Sequence, residues 1–110
     1  MKIGLFLSCL FLVANSALAA PPWYTSKVVE VTTQGSGVLF IRTELNPNPK
    51  SCASTWVGAV FEASTLEAKQ LAASIALMAK ASGSQLRFQI DDQSCALNNG
   101  WPKMLWIQVQ

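Results

Sequence analysis

Three β-rich segments, one alanine-rich helix and two further β-segments predict a mainly β domain with one α-helix. In a chain of this size the order β-β-β-α-β-β is that of a small five-stranded OB-like barrel. An open antiparallel sheet with one packed helix is the alternative. One disulfide, between Cys52 and Cys95, completes the expectation.

The chain has 110 residues, and its leader is read as a signal peptide. Lys2 supplies a positive charge, Ile3 to Ala14 is mostly apolar, and Ala17-Leu18-Ala19 is a small-residue cleavage site. A cut after Ala19 is favoured, because a cut after Ala20 would place Pro21 first. A membrane span needs about 20 apolar residues, and this run breaks at Asn15-Ser16. A lipoprotein would use Cys9, but Phe6-Leu7-Ser8 is a poor match to the required motif. The expectation is a signal at residues 1–19 and a single secreted or periplasmic domain at 20–110, with no membrane span. A domain this small has a thin core that a covalent staple would help. Cys9 leaves with the leader, and an even pair in an oxidising compartment reads as a disulfide. A metal or catalytic thiol is the rival reading, in a chain without histidine.

Each element has a local cause. Pro21-Pro22 keeps the lead from Ala20 to Ser26 extended. Lys27 to Thr33 is rich in β-branched residues and reads as the first strand. Gln34-Gly35-Ser36-Gly37 is a turn, where glycine permits positive φ. Val38 to Leu45 follows as the second strand of a hairpin, with Leu39, Ile41 and Thr43 on one face and Val38, Phe40, Arg42 and Glu44 on the other. Pro47 and Pro49 stop it, and a loop carries Cys52. Trp56 to Phe61 reads as the third strand, in which Gly58 marks a bulge or a close backbone approach.

Ser64 to Ser82 is the helix. Ser64 and Glu67 fit a capping box, and Leu71, Ile75, Met78 and Ser82 form the stripe, with Ala68, Ala72 and Ala79 beside it. The small side chains let the helix axis sit close to a sheet, and Gly83 stops it. Gln85 to Ile90 alternates strictly, with Leu86, Phe88 and Ile90 inward. Asp91 to Ser94 reads as a solvated turn, and Asn98-Asn99-Gly100 as a tight one. Met104 to Gln110 is the last strand, with Leu105, Ile107 and Val109 on one face.

Composition excludes several functions. Without histidine a Ser-His-Asp arrangement is impossible, and the commonest metal ligand is missing. Asp91 and Asp92 are neighbours in a strand-like segment and point apart. Neither an EF-hand loop nor a glycine-rich phosphate loop is present. The seven cations after the leader are scattered, so no nucleic-acid face is expected. No catalytic residue, metal or cofactor is predicted.

The aromatic residues carry the remaining signal. Tryptophan and tyrosine offer a flat apolar face and a hydrogen-bonding tip. Trp23 and Tyr24 in the lead, and Trp101 beside a turn, are the candidate ligand-binding residues, with a packing lid as the bland reading of the first two. Trp56 reads as core. Trp106, opposite the Leu105, Ile107 and Val109 face, belongs either to a subunit interface or against the helix.

The strand Trp-Val-Gly-Ala-Val-Phe, the alanine-rich helix from Leu66 to Ala81, the segment Ser82-Gly83-Ser84-Gln85-Leu86-Arg87-Phe88-Gln89-Ile90, a cysteine and a final apolar strand follow one another. This pattern resembles the B subunits of subtilase cytotoxin and of pertussis-like typhoid toxin. The resemblance implies an OB-fold that assembles as a homopentamer, binds cell-surface glycans and accompanies a separate A-type subunit. No receptor-binding motif of that family maps onto a position here. The competing expectation is a monomeric periplasmic interaction module, such as a hydrolase inhibitor, using the loop from Asn46 to Thr55.

Overall fold

The structure, a computed structural model, describes residues 20–35, 37–54 and 58–110, the side chains of 98 and 99 aside. The expected signal peptide, Trp56 and the start of the expected third strand lie outside the described residues. The elements are β1 (Trp23–Thr33), β2 (Leu39–Thr43), β3 (Ala59–Phe61), α1 (Leu66–Ser82), β4 (Gln85–Cys95), the short α2 (Ala96–Asn99) and β5 (Trp101–Val109).

The strands close into a barrel in the order β1-β2-β3-β5-β4, with only the β3–β5 pairing parallel. This is the expected five-stranded OB-like fold, with α1 between the third and fourth strands. Among the described residues no helix is long and apolar enough to cross a membrane. The bridge joins Cys52 to Cys95 with Cα atoms 5.9 Å apart, a pairing suited to an oxidising compartment.

The hairpin forms as expected: Gly37 takes φ +91° and its N–H donates to Gln34 O at 2.9 Å. Inside the barrel, Leu39 and Ile41 meet Leu86, Phe88, Ile90 and Met104, all at most 1 % exposed. Gly58 has φ +98°, and a Cβ there would strike Ile41 O and lie 2.5 Å from Arg42 Cα. The expected close backbone approach is therefore present, and only glycine fits it.

Four expectations need correction. β1 starts at Trp23, not Lys27, because Trp23 to Lys27 ladder onto β4 from Gln89 back to Gln85. The helix cap is Thr65, whose side chain accepts from Ala68 N at 3.1 Å, so Ser64 and Glu67 form no capping box. The helix face is also rotated from the expected stripe, keeping Ile75 and the flanking alanines against the core. Ala72, Ala76 and Ala79 are buried, whereas Leu71 and Met78 are 62 % and 59 % exposed. The alanines win because a closed barrel leaves no hollow for leucines, and small side chains let the helix approach its wall. Finally, Gly100 sits in the right-handed region behind the α2 turn, not in a tight hairpin turn, and β5 begins at Trp101.

Phe40 illustrates a limit of two-face reasoning. It lies opposite Leu39 and Ile41 yet is 1 % exposed, because Val60, Ala96 and Trp101 build a second apolar cluster over the barrel's outer wall.

Candidate ligand-binding surface

The alternation of β4 puts Leu86, Phe88 and Ile90 inside the barrel and leaves Arg87 and Gln89 outside. The register then decides their neighbours. Trp23 pairs with Gln89, and Gln89 pairs with Trp106. These three residues form one row across β1, β4 and β5 on the outer face. Thr25, Arg87 and Gln108 form the next row.

The two indoles meet edge to face, with ring centroids 6.4 Å apart. The Arg87 guanidinium sits 4.1 Å from the Trp23 ring centroid, in cation–π geometry. That contact fixes the indole from one side. Gln89 Nε2 donates to Pro21 O at 3.2 Å, which fixes its amide at the edge of the row. Trp106 is 58 % exposed. The result is an apolar platform bordered by guanidinium and amide donors, held on three laddered strands.

The three expected binding residues go to different places. Trp23 is on the platform. Tyr24, the next residue in the strand, points to the other side and stacks on Phe88 at 5.9 Å, against the core. Trp101 is half-buried in the second cluster, edge-on to Phe40 at 5.5 Å. Trp106 stands on the outer face beside Trp23 and also lines the groove between the helix and β5, so its expected place against the helix is met in part. Arg87, Gln89 and Trp106 are the platform residues that sequence reasoning did not propose. The strict alternation of Gln85 to Ile90 already turned Arg87 and Gln89 outward, but only the register sets them beside the two tryptophans.

A groove of about 400 Å³ adjoins the platform between α1 and β5, lined by Leu71, Ile75, Leu105, Trp106 and Phe61 among others. Its β5 wall has a bulge. Gln89 pairs with Trp106 while Ile90 pairs with Met104, so Leu105 is the extra residue. The bulge breaks the expected face of Leu105, Ile107 and Val109. Met104, Ile107 and Val109 pack in or against the core, and Leu105 lines the groove.

Asp91 to Ser94 form a second, larger bulge of β4 against β5. The expected solvated turn is instead tied down. Gln93 N–H donates to Asp91 Oδ1 at 2.8 Å, Ser94 Oγ donates to Asp91 Oδ2 at 3.0 Å, and Lys103 Nζ donates to Ser94 Oγ at 3.0 Å. Lys103 also lies 3.8 Å from Asp91 and 3.7 Å from Glu62. The Gln93 backbone N–H holds the Asp91 carboxyl below its ordinary value against the opposing pull of burial, with Ser94 and Lys103 assisting. Asp91, Ser94 and Lys103 thus form a structural tie. It pins the bulge next to the disulfide.

The loop before β3 is clasped from within. Asn48 Nδ2 donates to Cys52 O at 2.9 Å, and Cys52 N–H donates to Asn48 Oδ1 at 2.7 Å. Its tip, Pro49 to Ser51, is exposed.

No model of a known protein family matches the chain, and no curated protein matches it significantly.

Proposed function

We propose that this chain is a non-enzymatic secreted or periplasmic binding protein that takes a glycan on the Trp23–Gln89–Trp106 row. The observation that carries this reading is the row itself: two indoles 6.4 Å apart on the outer barrel wall, with Gln89 between them and Arg87 against Trp23. Indole faces suit the apolar faces of sugar rings, and amide and guanidinium donors suit their hydroxyls. The site is built on strands, so little ordering is required when a ligand arrives. A glycan array probed with the mature protein tests the reading. Binding of a sugar class is expected, lost on Trp23→Ala and on Trp106→Ala and kept on Trp101→Phe. An array without binding, or binding indifferent to the first two changes, would overturn it.

The Asn48 clasp and the disulfide favour a second reading. They hold the Pro49–Ser51 tip rigid and exposed, as a protein-docking loop of a hydrolase inhibitor requires. Capture of a hydrolase that depends on Lys50 would favour this reading over the glycan one.

A further inference from the structure

The groove beside Leu71 continues past the start of the helix. A second hollow, of about 560 Å³, adjoins it and reaches Val38, Val60 and Leu97. The two hollows share Phe61, Glu62, Ala63, Ser64 and Leu105, so they form one trough. Each lies within the range of about 300–1,000 Å³ found for small-ligand sites.

The trough follows α1. Ala68, Leu71, Ala72 and Ile75 line it at the i, i+3, i+4, i+7 spacing of one helix face. Phe61, Leu105 and Ile107 complete this apolar stretch. The path from Ser64 to Ile75 is about 16 Å along the axis, at about 1.5 Å per residue.

The two ends differ in chemistry. The stretch beside Leu71 and Ile75 has no cation among the described residues, whereas Lys69 and Lys103 both line the other hollow. Lys103 is already engaged, 3.7 Å from Glu62 and 3.8 Å from Asp91. That pairing also answers Glu62, the carboxylate on the trough wall. Lys69 is placed differently. Its side chain leans towards the helix N-terminus, where Nζ donates to Gly37 O at 2.6 Å. Among the described residues it joins no ion pair. An ammonium carries three donors, so Lys69 keeps two of them and an unanswered positive charge. Charge complementarity therefore asks for an anion at this end and an apolar tail at the other.

We propose that the trough binds a single-chain amphiphile with a carboxylate head, of the fatty-acid class. The head sits on Lys69 beside Ser64, and the chain runs along α1 to Ile75. It covers Leu71, which is otherwise 62 % exposed. A carbon chain advances about 1.25 Å per bond, given bonds of about 1.5 Å and angles near 111°. A path of about 16 Å thus takes about a dozen carbons. The chain lies flat along the protein, so the occupant is a free monomeric amphiphile and not a bilayer surface. The site does not depend on the glycan reading. Trp106 borders both surfaces, but Lys69 and Leu71 belong to the trough alone.

The test is isothermal titration calorimetry of the mature protein with saturated carboxylates from octanoate to tetradecanoate, each below its micelle concentration. One-to-one binding is expected, tightening about two- to fourfold per added carbon and levelling near a dozen carbons. Lys69→Gln should weaken dodecanoate about tenfold and leave the neutral glycerol monoester of the same acid unchanged. Leu71→Glu should abolish binding of both. Leu71→Ser replaces it if circular dichroism shows that variant unfolded. Absence of dodecanoate binding would overturn the inference, as would affinity indifferent to chain length or an equal effect of Lys69→Gln on the acid and its ester. Light scattering run beside the titration covers the rival occupant: a wild-type multimer that Leu71→Glu converts to monomer, with dodecanoate bound by neither, would give the trough to a second copy and overturn the inference too.

Discussion

The helix packs on its alanine edge, with Leu71 and Met78 left outside, and this gives a sharp stability prediction. Ala76 is 0 % exposed, at the α1–barrel contact. Ala76→Leu adds three carbons where no space exists, and overpacking of this kind costs about 1–3 kcal/mol. Met78 is 59 % exposed, so only about two-fifths of a methionine's burial is at stake. Full burial contributes roughly 1.5–3 kcal/mol, and that fraction of it is about 0.6–1.2 kcal/mol. Alanine's better helix propensity returns a few tenths. Met78→Ala should therefore cost only about 0.5 kcal/mol. Urea unfolding followed by circular dichroism reads both, through the midpoint at unchanged slope. Ala76→Leu must be the costlier change. If Met78→Ala costs more, the helix is turned the other way and the alanine face is not the core face.

Three other outcomes follow from the same structure. Thiol titration of unfolded, unreduced protein should find no free thiol after the leader is removed, and replacing Cys52 and Cys95 together with alanine should cost about 4 kcal/mol through the 43-residue separation they close; two free thiols would contradict the bridge. Gly58→Ala should destabilise by about 3 kcal/mol or prevent folding, since it meets both a positive φ and the β2 backbone; a neutral result would place β2 and β3 further apart. Asp91 has a folded pKa below its unfolded value, so its contribution is fully present above the ordinary carboxylate value of about 3.9 and is lost as pH falls through that value and the lower folded one. Asp91→Asn should flatten this acid limb of a stability–pH curve; an unchanged limb would remove Asp91 from its cause.

The barrel was legible because its determinants are local. The Gln85 to Ile90 alternation, the glycines at 37, 58 and 83, the prolines after β2 and the cysteine pair each act within a few residues or through a single bond. The helix face was only partly legible: Ile75, Ala72 and Ala79 were placed near it, but leucine and methionine at helical spacing look like a core stripe until the barrel is known to leave no room for them. Phe40 and Trp101 were misplaced for a related reason: a second cluster outside the barrel covers residues that two-face reasoning assigns to solvent. The candidate surface was half legible. Trp23 was named for its type, but Trp106, Gln89 and Arg87 join it through register. The Leu105 bulge shifts the parity of β5 in a way no strand pattern announces.

The central claim is that Trp23 and Trp106 act together as a binding platform. The most direct measurement is the response of the indole N–H resonances, by nuclear magnetic resonance, to titration with a panel of simple glycans. The account predicts that the Trp23 and Trp106 signals shift together and saturate with one affinity, while the Trp101 signal, from the second cluster, stays in place. Signals from Trp23 and Trp106 that do not move across the panel, or a shift confined to Trp101, would contradict it.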